Sequence, residues 1–257
     1  QFNLQNAQGD SQTCATIANQ FVNGGVDLIM ANATAALQAC SNATSTIPVV
    51  GTSVTSFAAA LDIELDANGC TGINVTGTND MNPIREQMEL IREFLPDVQT
   101  VGLLYTSSED NSVLQIQEVK AVLEEMNVGY VEQTVTGSND VQQAVQSILG
   151  KCDALYIPTD NTLAASAALV GSAAQTAKIP VFWGEGNCVA EGGLASLGLD
   201  YYNLGRQTGE MAVEVLEGAD PAVMPIQSQS DYSYTISKSM AEEIGIEIPE
   251  HLLEFAE

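Results

Sequence analysis

Short runs of apolar, β-favouring residues recur along this chain with stretches of helical apolar spacing between them, and that alternation restricts the fold more than any other feature. Residues 26–31 (VDLIMA) and 47–51 (IPVVG) are short, largely apolar and bounded by Gly, Asn or Thr, which predicts buried strands of a parallel sheet. Cys14, Ile17, Ala18, Phe21 and Val22 fall at helical spacing, as do Ala33, Ala36, Leu37 and Cys40, so each helix has one face to bury on that sheet. The turn-rich stretch 67–82 reads as a crossover. After it Pro83 opens a helix through Ile84, Met88, Ile91 and Leu95 that Pro96 closes. Strands are then predicted at 100–105, 128–135, 154–158, 180–184 and 194–199, with helices around Val113 to Leu123, Val141 to Ile148 and Leu163 to Ala177. A helix over 203–217 stopped by Gly218, a β-like stretch at 232–236 and a short helix at 238–243 complete the pattern.

A length of 257 residues is enough for two cores of a little over a hundred residues each. Apolar residues at 45% against charged residues at 16% describe a globular chain. No segment approaches the roughly 20 continuous apolar residues of a membrane-spanning helix. With 33 acidic and 7 basic residues the formal net charge is -26, which repels nucleic-acid phosphates and anionic lipid headgroups and excludes both as partners. The excess reads as a solvated acidic surface, compatible with a salty environment. Cys14, Cys40, Cys70, Cys152 and Cys188 are scattered singly and odd in number, so a disulfide framework is not expected and neither is a metal site. The opening Gln1-Phe2-Asn3-Leu4 has neither a basic nor an apolar leader region, so any export signal is expected to be removed or upstream.

In open parallel sheets ligands bind beyond the carboxyl ends of the strands, and the residues at those places here are polar. They are Asn32-Ala33-Thr34, Thr52 to Ser56, Thr106-Ser107-Ser108-Glu109-Asp110-Asn111-Ser112, Thr159-Asp160-Asn161-Thr162 and Glu185-Gly186-Asn187. Any one such loop is explained by helix capping, for which Ser, Thr, Asp and Asn are favoured. Together they form a set of donors and helix starts suited to a carboxylate, with acids suited to an ammonium group, which is the pattern of a zwitterion. Catalysis finds little support. His251 is the only histidine and sits near the end of the chain, so Ser-His-Asp and Cys-His arrangements have no base. Zinc-ligand spacing, G-x-x-x-x-G-K-[ST] and G-x-G-x-x-G are all absent, so no enzyme, cofactor or metal is expected.

The segments QNAQGD (5–10), VDLIMANATAALQA (26–39), IPVVGTSVTS (47–56) and NVTGTND (74–80) are similar to the substrate-binding proteins of ABC transporters, in the tryptophan and tyrosine branch. VGLLYTSSEDNS (101–112), YIPTDNT (156–162), IPVFWGE (179–185) and LDYYNLGRQTGEMA (199–212) continue the resemblance through nearly the whole chain. It implies two parallel-sheet α/β lobes joined by a three-strand hinge, the type I periplasmic-binding-protein fold, closing around ligand. One lobe would be 1–77 with 200–226 and the other 78–199 with 227–257. Relatives of this kind carry a strand and helix before QNAQGD, so the resemblance implies that the first βα unit of the N-terminal lobe is missing here, the sequence being either a truncated or processed form or one with an incomplete first lobe.

Carried onto matching positions, the resemblance gives Thr34 and Thr55 as hydroxyl or amide donors to a ligand carboxylate, with Ser107, Ser108, Asn111 and Ser112 completing that shell from the other lobe. Asp160, followed by Asn161, is the implied ammonium partner, with Glu185 second, while Asp200 lines the hinge side. The implied function is extracytoplasmic capture of an amino acid, aromatic by preference, for delivery to a membrane permease. The protein would act as a monomer, periplasmic or lipid-anchored. A sugar or nucleoside on the same fold, or a regulator's sensor domain, are the alternatives. The 5% aromatic content counts mildly against a sugar.

Overall fold

The computed structural model describes residues 1–257. In chain order the elements are α1 (Ser11–Gly24), β1 (Ile29–Asn32), α2 (Thr34–Ala43), β2 (Val49–Val54), α3 (Phe57–Leu61), β3 (Val75–Asn79), α4 (Ile84–Phe94), β4 (Thr100–Thr106), α5 (Asp110–Glu125) and β5 (Gly129–Val135). They continue with α6 (Val141–Ile148), β6 (Ala154–Ile157), α7 (Asn161–Ala164), α8 (Ala167–Ala177), β7 (Val181–Trp183), β8 (Ala195–Leu199), α9 (Tyr201–Leu216), β9 (Gln227–Ser228), β10 (Tyr232–Ile236) and α10 (Lys238–Ile244). These form two compact units, Gln1–Met81 with Asp200–Ser230 and Asn82–Leu199 with Asp231–Glu257. The chain therefore passes between units after residues 81, 199 and 230.

The first unit has a four-stranded sheet in the order β1-β2-β3-β9, parallel throughout. Ala18, Ile29, Leu37, Val49, Val54, Phe57 and Val75 form one buried cluster, and Val50 joins Met211, Ala212 and Val215 of α9 in another. Adjacent residues Val49 and Val50 thus serve opposite faces, as a two-residue side-chain period requires. Under α9 the sheet is polar: Thr208 Oγ1 lies 2.7 Å from Thr78 Oγ1 and donates to Thr52 Oγ1 at 2.9 Å, which satisfies hydroxyls that are costly to bury alone.

The second unit has a six-stranded sheet in the order β10-β8-β7-β6-β4-β5, with only β10 antiparallel. Val101, Leu103, Tyr156 and Phe182 pack with Met88, Ile91 and Ile116 on one face, while Leu104, Leu155, Ile157 and Trp183 pack with Val145 and Val170 on the other. Buried Tyr156 donates to Gln87 Oε1 at 2.6 Å, and Gln87 Nε2 donates to the Leu197 carbonyl at 2.7 Å.

The expected βα alternation and two-unit α/β architecture are present. Two local expectations are corrected. Residues 67–82 are not all crossover, because VTGTN at 75–79 forms the buried strand β3, its threonines supplying β-branched side chains where a purely apolar run was sought. The predicted helix over 163–177 is two helices, α7 and α8, divided at Ala165 and Ser166.

With three ion pairs to Lys or Arg, and 7 Lys and Arg against 33 acidic side chains, most carboxylates lack a cationic partner within salt-bridge distance. Their mutual repulsion opposes the compact state and is screened as the Debye length falls from about 10 Å at 0.1 M to about 3 Å at 1 M salt. Thermal unfolding followed by circular dichroism is expected to move up by about 5 °C or more over that range. A midpoint that stays flat or falls would show that charge repulsion is not limiting.

Candidate functional site

In the second unit, the loops after β4 and β6 meet around Asp160. This residue is 2% exposed, caps α7, and accepts from Thr106 N (2.7 Å), Thr106 Oγ1 (2.8 Å), Ser112 Oγ (2.8 Å) and Leu163 N (2.9 Å). Burial first, and the neighbouring Glu109 carboxylate second, hold its pKa above the ordinary carboxylate value, while the Leu163, Thr106 and Ser112 donors pull the other way. Glu109 accepts in turn from Asn161 N and Nδ2 (2.9 and 2.8 Å) and from Thr162 N and Oγ1 (2.9 and 2.8 Å). Of the donors expected to meet a ligand carboxylate from this unit, the Ser112 hydroxyl is thus given to Asp160, and the donors of Asn161 and Thr162 go to Glu109.

Around that pair lies a buried amide network. Asn111 Nδ2 donates to the Thr159 carbonyl at 3.0 Å, as does Gln115 Nε2 at 3.2 Å, and Asn82 Nδ2 donates to Thr159 Oγ1 at 2.6 Å and Gln115 Oε1 at 3.1 Å. Gly184, at the end of β7, makes room for it. A Cβ there would lie 2.6 Å from Thr159 N and 3.1 Å from Asn82 Nδ2.

In the first unit β1 and β2 pair in parallel, and Ala33 N, just before α2, donates to the Thr52 carbonyl at 3.0 Å. Thr34 is the first residue of α2 and is buried, and the preceding Ala33 has φ 77 and ψ 160 with no side-chain cap on the helix. Such a conformation is strained for any residue with a Cβ. At the end of β2 the register shifts between Gly51 and Val54, with Ser53 at φ 54, and this irregularity sets the direction in which the chain leaves the sheet toward Thr55. Thr55 Oγ1 donates to Asp80 Oδ1 at 3.2 Å, and Tyr201 OH donates to Asp80 Oδ2 at 2.8 Å. Asp80 is 2% exposed at the end of β3.

Ten positions were expected at the site. Within the first unit Thr34 and Thr55 stand at neighbouring strand ends as expected, and exposed Asp200 caps α9 by accepting from Tyr202 N, Asn203 N and Asn203 Nδ2. Within the second, Asn111, Ser112, Asp160 and Asn161 are joined in one network, the first three buried and Asn161 at its surface. Ser107 is exposed and turns its backbone N–H and hydroxyl to the Val135 carbonyl, while Ser108 is exposed beside it. Glu185 is half-buried at the end of β7, where it accepts from Asn187 Nδ2 at 3.1 Å. Sequence reasoning placed Thr106 and Glu109 in the polar strand-end loop without giving them a role, and did not single out Asp80, Asn82 or Gln115. Asp80 had a signal, an acid directly after the alternating β-branched run VTGTN.

A family model described as ABC transporter substrate binding protein matches residues 1–257. The Tyrosine-binding protein of Clostridioides difficile (strain R20291) is 37% identical over 236 residues, 91% of this chain and 68% of that protein. A conserved domain protein of Vibrio cholerae O1 biovar El Tor has a solved structure with TM-score 0.95 and 38% identity, covering 100% of this chain and 86% of its own. The ABC domain of Streptococcus pneumoniae in complex with L-Trp matches with TM-score 0.93 and 38% identity, over 98% of this chain and 87% of its own. At 13% identity and TM-score 0.64, a D-allose-bound solute-binding protein of Actinobacillus succinogenes shares the fold alone. This chain belongs to the family of ABC transporter substrate-binding proteins.

Proposed function

We propose that the chain captures an aromatic amino acid, L-tryptophan or L-tyrosine, outside the cytoplasm and presents it unchanged to a membrane permease. The observation that carries this reading is the match to a protein in complex with L-Trp at 38% identity over 98% of this chain. The polar strand ends of both units fit a zwitterion. In the second unit the start of α7 is filled by Asp160 and Glu109, whereas α2 in the first unit begins without a side-chain cap. The ligand carboxylate is therefore assigned to Thr34 and the first amides of α2, where N–H groups and the helix dipole favour negative charge. Thr55, whose hydroxyl proton goes to Asp80, orients that neighbourhood.

Asp160 has four donors on its two oxygens, about the full acceptor capacity of a carboxylate, and this leaves it poorly placed to meet an ammonium group. In this proposal it braces the strand-end loops, and Glu185, with one side-chain partner, meets the ammonium. No side chain in this scheme acts as a nucleophile or general base, so the ligand leaves as it arrived.

Thermal shift against the twenty amino acids and a panel of sugars tests the assignment. Ligand at about a hundred times its Kd adds roughly 2.7 kcal/mol to stability, so L-tryptophan or L-tyrosine should raise the midpoint by several degrees. Thr34→Val is expected to weaken that binding about 10- to 100-fold with little change in the ligand-free midpoint. A shift produced by sugars and by no amino acid would overturn the ligand class.

A further inference from the structure

The first passage between units, Asp80-Met81-Asn82, is held on each side by a buried polar side chain that belongs to a different unit. On the first side, Asp80 receives Thr55 Oγ1 and Tyr201 OH, and its own N–H donates to the Val54 carbonyl at 3.2 Å. Tyr201 follows the second passage, at 199/200, so its bond ties the two passages together within the first unit. On the other side, Asn82 is 5% exposed and its amide donates to Thr159 Oγ1 and Gln115 Oε1. Asn82 also precedes Pro83, which bars it from the α region and restricts its backbone further. Gly184 gives the Asn82 amide room to reach these partners, since a Cβ at that position would lie 3.1 Å from Asn82 Nδ2.

We propose that these two anchors pin the first passage on either side of Met81, so that rotation between the units is confined to that one residue there. Thr159 and Tyr201 are then positioning residues that set how far the ligand-free protein samples other arrangements. This deepens the binding-protein reading, because a stiff passage reduces the number of open arrangements from which capture must start. Second-passage freedom is small for a similar reason. Leu199 is still paired to Tyr232 in the sheet, and Asp200 already caps α9.

Spin labels at Gln20→Cys in α1 and Gln143→Cys in α6, both exposed, report the distance between units without any ligand. The five native thiols are buried, and burial raises Cys40 and Cys152 to about 11 and Cys188 to about 12, so the introduced thiols label first. Pulsed electron spin resonance is expected to show about a twofold broader distance distribution for Thr159→Val and for Tyr201→Phe, while Thr159→Ser keeps the original width. Unchanged widths in both variants, even with a lowered melting point, would overturn the proposal, as would equal broadening by Thr159→Ser. Failure of the ligand assignment would appear in the thermal-shift panel and leave these widths as they are.

Discussion

Asp160→Ala is expected to destabilise the second unit by about 3–5 kcal/mol, because it removes the common acceptor of a buried network. Four donors lose their partner at once: the Thr106 N–H and hydroxyl, the Ser112 hydroxyl and the Leu163 N–H that Asp160 caps. Ionising Asp160 in its buried site already carries a penalty, so the native bonds only offset that cost, but deleting the carboxylate leaves donors with nothing in exchange. Urea unfolding should show the loss with the melting point down by roughly 10 °C. If Asp160 instead served a ligand alone, Asp160→Ala would lose affinity and keep its stability. A change below about 1 kcal/mol would therefore reject the bracing role.

Gly77→Ala is expected to be at least as damaging, at about 4 kcal/mol or more, and to strike the first unit. Gly77 pairs with Gly51 across β2 and β3, and a Cβ at position 77 would lie 1.9 Å from the Gly51 carbonyl oxygen. Its φ of 148 adds backbone strain for any side chain. The strands cannot separate to make room without breaking the ladder that carries Thr55 and Asp80 at its end, so soluble yield and melting point should both fall. A variant that melts within about 1 °C of the parent would show that the two glycines do not approach as described.

The βα alternation was legible because each buried strand and each amphipathic helix repeats its own period over several residues, as in VDLIMA and in Ile84, Met88, Ile91 and Leu95. VTGTN escaped because its burial is set by tertiary packing against α9, where Thr52, Thr78 and Thr208 satisfy one another, a partnership 130 residues apart in sequence for Thr78 and Thr208. Strand-end polarity also was legible, since it is local. Occupancy was not: nothing in SSEDNS or PTDN announces that Asp160 takes the Ser112 hydroxyl expected to serve a ligand carboxylate, or that Glu109 and Asp160 fill the start of α7. Which donors remain available depends on pairings made across loops about 50 residues apart, and periodicity carries no information on those.

Calorimetric titration of the purified protein with L-tryptophan and L-tyrosine tests the central claim most directly. One-to-one binding with a negative heat-capacity change, and no heat from D-allose or other sugars, is the predicted result. Heat from a sugar together with silence across all amino acids would contradict it.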